Sequence, residues 1–513
     1  MHHSVLPVVL LATLGCARNL ELTHGRAAAT VSTIQGELIG NARDGVREFL
    51  GIPYAAAPSG ALRWKAPVPV ASWATPRDAT QRGPACSQLP GGETKETSED
   101  CLTLNVWAPE RVAGPMPVMV WIPGGAFVGG SGADFLYDGA RLAAREQAIV
   151  VTINYRLGVF GFLSLPELAK EWGRAASPSV GLLDQRAALK WVQQNIARFG
   201  GDPARVMLFG NSAGAWSVCS HLAAPASEGL FSRALMQSGA CSNALYFTPA
   251  VAEQQGGELA KAVGCAGPER LNCLRNISAE KLLTALPGKR GQILTPGVWW
   301  GPVVDGTELP KMPLTAFREG NFVHVPLVIG WNRDEGIVHT ASFKTVTAEE
   351  AQSFVRDSFG EKAAVQMPAQ YPRPTSKETL NDVITDAVFA CGARQVARVL
   401  SAQGVPVFQY QWVHPLDDER VHHMGATHSI ELFFVFGNAS LGFSVSEAER
   451  PLSHLVMDAW GSFARTGNPS TEGLPWPQYS AERDELLLLD TVPLRAAHVK
   501  DQRCQFWDAF IGQ

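Results

Sequence analysis

Short apolar runs separated by helical spacings organise the first half of this chain. Val118–Ile122, Ala148–Ile153 and Val206–Phe209 are such runs, the signature of strands buried on both faces. Thr30–Ile39 alternates like a strand, and Val46–Pro53 reads as another. Val325–Ile329 and Val407–Gln411 predict later strands, while Asp184–Phe199 and Ala213–Ala223 carry helical patterns. Strands alternating with helices predict an α/β fold, with a central, mostly parallel sheet flanked by helices. From about Pro249 to Leu400, helical patterns broken by Pro and Gly predict helical insertions over the sheet. With no internal repeat and no low-complexity linker, one domain over residues 30–513 is expected.

Composition narrows this further. The chain has 513 residues, 46% of them hydrophobic, and a net charge of −5. The negative balance, with no basic run interleaved with aromatics, argues against nucleic acid or an anionic membrane as main partner. Beyond the N-terminus no apolar stretch approaches the ~20 residues that span a bilayer. Val5–Leu14 has signal-peptide length, although its flank carries His2 and His3 in place of Lys or Arg. Residues 1–29 are therefore read as a signal peptide, with a disordered N-terminus as the alternative, and the protein as exported, periplasmic or secreted. Cys16 is the one position where lipid anchoring is conceivable, and Thr13 and Leu14 fit that pattern poorly.

Without Cys16, eight of the nine cysteines remain, an even number that suits disulfides in an exported chain. Cys86 with Cys101 and Cys265 with Cys273 would close short loops. Cys391 and Cys504 would tie the end of the chain to its body. Cys219 and Cys241 are left over and are read as buried free thiols.

The chemistry centres on Gly210-Asn211-Ser212-Ala213-Gly214, directly after the apolar run ending at Phe209 and opening a helical pattern. A sharp strand-to-helix turn through small residues lifts a serine hydroxyl clear of a parallel sheet. A serine needs an imidazole to take its proton and an acid to orient that imidazole. In α/β-hydrolases these follow in the order Ser, acid, His. Asp334 or Glu335, in the loop after Val325–Ile329, could be the acid, and His428 in Gly425-Ala426-Thr427-His428-Ser429 the base. Gly124-Gly125-Ala126 after the strand ending at Ile122 would aim backbone amides at a developing oxyanion, with the Ala213 amide as a further donor. His422 and His423 read as surface or loop residues. No metal-ligand spacing is present, and neither a metal nor a cofactor is expected. Asn276-Ile277-Ser278 and Asn438-Ala439-Ser440 are glycosylation sequons.

Further segments carry a resemblance that runs almost end to end. They include Phe49-Leu50-Gly51-Ile52-Pro53-Tyr54-Ala55, Ser98-Glu99-Asp100-Cys101-Leu102, Asn154-Tyr155-Arg156, Gly181-Leu182-Leu183-Asp184-Gln185, Phe199-Gly200-Gly201-Asp202-Pro203, Gln237-Ser238-Gly239 and Arg465-Thr466-Gly467-Asn468-Pro469. With these and the serine motif, the chain resembles the type-B carboxylesterases, the α/β-hydrolase family that includes cholinesterases. The resemblance implies a serine carboxylesterase acting through an acyl-enzyme. It implies Ser212 as nucleophile, His428 as general base and acid, and Glu335 rather than Asp334 as orienting carboxylate. Gly125, Ala126 and Ala213 match the oxyanion positions, and Ser238 and Glu431 a supporting shell. Arg63 with Glu99 and Arg156 with Asp184 match structural ion pairs. Cys86–Cys101, Cys265–Cys273 and Cys391–Cys504 match the family's disulfides.

Two positions depart from the family pattern. Asn211 stands where Glu usually precedes the serine, removing a negative charge beside it. Ala126 stands where the third glycine of a triplet is usual, keeping the amide but crowding the rim. The Cys86–Cys101 loop lacks the tryptophan on which cholinesterases hold a quaternary ammonium, so choline esters should not be preferred. Trp299 and Trp300 lie in the stretch that lines the acyl pocket in relatives, and read equally as pocket wall or as core. The partner is a small-molecule ester. A specialised esterase for a bulky natural or xenobiotic ester is the alternative, and a non-catalytic adhesion homologue a more distant one.

Overall fold

The computed structural model describes residues 27–91, 96–110, 114–241, 246–286 and 300–511. The expected leader thus lies outside the described residues, apart from positions 27–29, which belong to the first strand. Among the described residues a thirteen-stranded sheet runs through the molecule. Its strands are β1 (Ala27–Ser32), β2 (Glu37–Arg43), β3 (Val46–Pro53), β4 (Thr103–Pro109), β5 (Met116–Ile122), β6 (Ile149–Ile153), β7 (Gly201–Asn211), β8 (Arg233–Gln237), β9 (Leu327–Asn332), β10 (Val407–Trp412), β11 (Glu485–Leu489) and β12 (Leu494–Ala497). The order is β1-β2-β3-β4-β6-β5-β7-β8-β9-β10-β11-β12, with Arg77–Asp78 paired beside β2. From β6 to β11 every pairing is parallel; the pairings outside that run are antiparallel, except that Arg77–Asp78 lies parallel to β2.

The apolar runs form the centre of this sheet because both of its faces are covered. Val118, Val120 and Ile122 of β5 enter one hydrophobic core, and Met119 and Trp121 enter the other. On β7, Val206 and Leu208 face the first core, Met207 and Phe209 the second. Alternate residues point to opposite faces of a strand, so a strand between two helical layers has no polar side to show.

Two expected elements differ. Thr30–Ile39 is a hairpin rather than one strand. Thr33 donates from its amide (2.9 Å) and its hydroxyl (2.7 Å) to the Gly36 carbonyl, and β2 runs back along β1. Gly36 has φ +147°, and a Cβ there would meet Trp73 at 2.4 Å. The helix expected from Asp184 begins at Val180: α1 spans Val180–Asn195 and continues as a 3-10 turn to Phe199. Asp184 sits inside the helix because Arg156 neutralises it. Arg156 donates to it from Nε (2.7 Å), Nη2 (2.6 Å) and the backbone (3.1 Å), with both side chains buried.

Arg63 and Glu99 also pair, through Nε at 2.7 Å. Disulfides join Cys86–Cys101, Cys265–Cys273 and Cys391–Cys504. Contrary to the free-thiol expectation, Cys219 and Cys241 are also bonded. Cys219 lies on the helix α2 (Ala213–Ala223), and Cys241 follows β8, the neighbour of β7. Parallel pairing of β7 and β8 places those two successor segments side by side, a proximity that the 22-residue separation does not reveal. No described helix is long and apolar enough to cross a membrane.

Candidate active site

The C-terminal ends of β5, β7, β8, β9 and β10 lie side by side in that order, where parallel α/β sheets present their ligand sites. Each leads into one candidate segment. β7 ends at Asn211, and Ser212 makes the turn into α2 with φ 56° and ψ −127°. Such a conformation costs a non-glycine residue about 1–3 kcal/mol and persists only where the surroundings impose it. Here they do: a Cβ on Gly210 would meet Gly214 at 2.6 Å, and one on Gly214 would meet the Ile122 carbonyl at 2.0 Å. The small residues of the motif are therefore enforced by backbone contact with the end of β5.

The loop after β5 crosses the serine closely, since a Cβ at Gly124 would lie 3.1 Å from Ser212 Cβ. Gly125, Ala126 and Phe127 all have positive φ (114°, 53° and 62°), which turns successive amides the same way. The amides of Gly125 and Ala126 donate to no acceptor among the described residues, whereas the Gly125 carbonyl accepts from Val128 and Gly129. Ala213 opens α2, where the first amides have no carbonyl one turn back. All three are donors available to a ligand.

Beyond β9, Glu335 is fully buried and accepts from the Asn332 amide at 2.6 Å. Its other oxygen meets His428 Nδ1 at 2.5 Å. A carboxylate there keeps the proton of a neutral imidazole on Nδ1 and leaves Nε2 as acceptor. Asp334 does something else. Its carboxylate accepts from the Ala426 amide (2.8 Å) and pairs with Arg333 (3.0 Å), docking the histidine loop onto the end of β9.

Beneath these groups lies a buried polar network with Glu431 as its hub. Asn211 Nδ2 (2.9 Å) and Gln237 Nε2 (3.1 Å) donate to one Glu431 oxygen, Asn332 Nδ2 (2.6 Å) to the other. Trp460 Nε1 in turn donates to Gln237 (3.1 Å). Burial pushes the Glu431 carboxyl up to about 7; the Asn332 hydrogen bond opposes this and the Glu335 charge adds to it. Ser429 Oγ donates to Asn211 Oδ1 at 2.7 Å. Ser238, also at positive φ, has a buried hydroxyl with no partner among the described residues, while its amide donates to Gly330 at 2.9 Å.

Aromatic rings close the site. Phe389 lies on a π-helical turn, Ile384–Ala390, with its ring 4.9 Å from His428 and 5.6 Å from Trp216. Trp300 is only 8% exposed and belongs to the main core, and Trp299 lies outside the described residues. His422 and His423 sit on a 3-10 turn away from any cluster of potential metal ligands among the described residues. Of the sequons, Asn438 spends its side-chain amide on the Leu136 (3.0 Å) and Asp138 (2.7 Å) carbonyls, whereas Asn276 is exposed.

Sequence reasoning missed Asn332, Gln237, Phe389, the bond from Asn211 to Ser429, and the docking role of Asp334. The partners in these contacts lie far apart along the chain, and only the sheet order brings them together.

Residues 27–507 match the model of the Carboxylesterase family. The chain is 40% identical over 481 residues to para-nitrobenzyl esterase of Bacillus subtilis (strain 168), covering 90% of this chain and 94% of that protein. It is 36% identical over 520 residues to acetylcholinesterase of Bungarus fasciatus, covering 91% and 83%. Among solved structures, a PNB esterase superposes with a TM-score of 0.84 at 38% identity, over 93% of this chain and 99% of that one. A thermophilic PNB esterase gives 0.83 at 36% identity over the same shares. With its strained serine turn, the buried carboxylate that meets a histidine, and this likeness over nearly its whole described length, the chain belongs to the carboxylesterase family and has the α/β-hydrolase fold.

Proposed function

We propose that this carboxylesterase hydrolyses carboxylic esters with Ser212 as nucleophile, His428 as general base and acid, and Glu335 as orienting carboxylate. The observation that carries the reading is the 2.5 Å contact of His428 Nδ1 with buried Glu335, on a loop bonded to the serine turn through Ser429 and Asn211. In acylation Ser212 Oγ attacks the ester carbonyl carbon and its proton passes to His428 Nε2. The tetrahedral oxyanion is received by the amides of Gly125, Ala126 and Ala213, each such donor being worth about 10²–10³ in rate. Collapse breaks the C–O bond to the alcohol, which leaves with the proton from His428. Water, deprotonated by the same imidazole, then attacks the acyl carbon; collapse breaks the bond to Ser212 Oγ, which takes back the proton from His428, and the acid leaves. Glu335 stabilises the imidazolium in both halves.

Glu431 supports this site through Asn211 and Asn332. Ser238 supports it through the backbone, holding β8 against β9. Trp300 acts in packing, since it belongs to the core, and Trp300→Ala should leave acyl preference unchanged. No cofactor takes part, and nucleic acid is no partner. Neutral esters are preferred to choline esters, because the Cys86–Cys101 loop contains no aromatic ring for a quaternary ammonium. Four disulfides favour an exported protein, with a leader that ends before Ala27, since Ala27–Ala29 are paired in β1, and the rest of the chain as one domain.

Fluorophosphonate labelling followed by peptide mapping tests the reading. An adduct on Ser212, slowed by an ester substrate, is expected; an adduct elsewhere, or none on folded protein, overturns it.

A further inference from the structure

His339 is a polar group beside the site that the mechanism above does not use. It lies on the short helix α3 (Gly336–Thr340), directly after Glu335. Its ring centroid is 5.0 Å from that of His428, and it stacks at 12° on Phe389 at 5.9 Å. The helix that carries it is held from both sides. The Val338 amide donates to Thr427 Oγ1 (3.2 Å), next to His428, and the Gly336 amide donates to Thr385 Oγ1 (3.0 Å), on the turn that carries Phe389. Thr340 Oγ1 donates to Asn381 Oδ1 at 2.5 Å. The residue is half-buried, yet its Nε2 is shielded from solvent and has no hydrogen-bond partner among the described residues. Burial, and next the charge of His428, hold its imidazole well below the usual histidine range, so it is neutral at working pH.

An unmatched polar atom in an enclosed place is costly, and a ligand that pairs with it removes the cost. A site built to hydrogen-bond a substrate group discriminates strongly against an analogue that lacks it. We propose that His339 is a specificity-determining residue, whose Nε2 hydrogen-bonds a hydroxyl carried by the ester close to the scissile carbonyl. The preferred substrates are then hydroxylated short esters rather than their hydrocarbon counterparts. A hydroxyl both donates and accepts, so it satisfies either tautomer of a neutral imidazole. The neutral ring gives no attraction to cationic esters. This inference rests on the proposed serine mechanism, because it takes the ester to be bound at Ser212 and His428.

The test uses near-isosteric pairs on both sides of the ester: p-nitrophenyl glycolate against propionate, and 2-hydroxyethyl against propyl acetate. Each kcat/KM ratio for wild type is divided by that of His339→Phe and of His339→Gln, which cancels intrinsic reactivity. The hydroxy-to-alkyl ratio should fall about tenfold or more in His339→Phe on one side of the ester. It should be partly retained in His339→Gln, which keeps a donor and an acceptor. Equal ratios within twofold on both sides would overturn the assignment. Turnover of propionate by His339→Phe, together with its labelling by a fluorophosphonate, shows that the variant is folded and competent. Turnover surviving in Ser212→Ala would instead strike at the serine mechanism, an outcome read separately from the ratios.

Discussion

Ser429 Oγ and Asn211 Oδ1 are hydrogen-bonded at 2.7 Å, and each is the chain neighbour of a residue proposed to react: Ser429 follows His428, and Asn211 precedes Ser212. Asn211 also donates to Glu431 at 2.9 Å. This one side chain therefore spans the serine turn, the histidine loop and the buried carboxylate. Removing it by Asn211→Ala leaves the Ser429 hydroxyl without its acceptor, at about 1–3 kcal/mol, and takes one donor from the Glu431 oxygen that Gln237 still pairs. A fall in kcat of about tenfold or more is expected, with a smaller change in KM, and a milder fall for Ser429→Ala; steady-state kinetics checks both.

Asn211→Asp makes a separate prediction. It sets a second carboxyl within hydrogen-bond distance of Glu431, where two like charges cannot both ionise. One of the pair should keep its proton to higher pH, so the kcat/KM profile of Asn211→Asp should move to higher pH than that of wild type. Superimposable profiles would show that residue 211 is electrostatically silent.

Glu431 also ties stability to pH. Its folded value, about 7, is raised above that of an ordinary carboxyl, so folding binds a proton. That contribution is complete below the ordinary carboxylate range and is lost as pH rises through about 7. Wild type minus Glu431→Gln, read as a difference in Tm, should therefore decrease between pH 5 and pH 8. At pH 8, where Glu431 is ionised beside the imidazolium site, the same substitution should lower kcat by about an order of magnitude, in line with a lost hydrogen bond to a charged group.

A second pH-dependent element is His414, held between Asp490 Oδ1 (2.7 Å) and Glu449 Oε1 (3.0 Å). Burial disfavours its charge, but these two carboxylates prevail and raise it above the usual histidine value. The stabilisation it gives is present below the ordinary imidazole pKa of about 6.5 and is lost as pH climbs through the raised folded value. The Tm difference between wild type and His414→Gln should be larger at pH 6 than at pH 9. A pH-independent difference would show that the clamp is not ionic.

The Cys219–Cys241 bond fastens the helix that carries the serine to the segment after β8. Closing a loop of this length is worth about 3 kcal/mol in the chain-entropy account. Cys219→Ala/Cys241→Ala should unfold at lower denaturant by a comparable amount, and thiol titration of unfolded, unreduced protein should find neither cysteine free.

The strands β3, β5, β6, β7, β9 and β10 and the helix after Ser212 were legible because burial on two faces and a strained turn leave local marks, apolar runs and glycines that backbone contact demands, whereas β4, β8, β11 and β12 were not foreseen. Ser212 and Glu335 could be read as candidates because each stands in a distinctive short segment just after a strand, and His428 because its segment lies in a loop before an apolar run, with the family resemblance deciding between Asp334 and Glu335. The hairpin at Thr33–Gly36 was hidden because Ile34, standing between polar residues in the turn, reads as one more apolar strand position. Cys219 with Cys241, Asn211 with Ser429, and His339 with His428 and Phe389 were hidden for a different reason. Each pair is made by neighbouring strands or by a helix docked from elsewhere, and nothing in either residue's own segment announces the other.

The most direct test is p-nitrophenol release from acetate through octanoate esters by wild type and by Ser212→Ala, with folding of both followed by circular dichroism. The account predicts ester turnover by wild type and loss of it, by a factor of about 10⁴ or more, in a variant that remains folded. Comparable turnover by folded Ser212→Ala would contradict it.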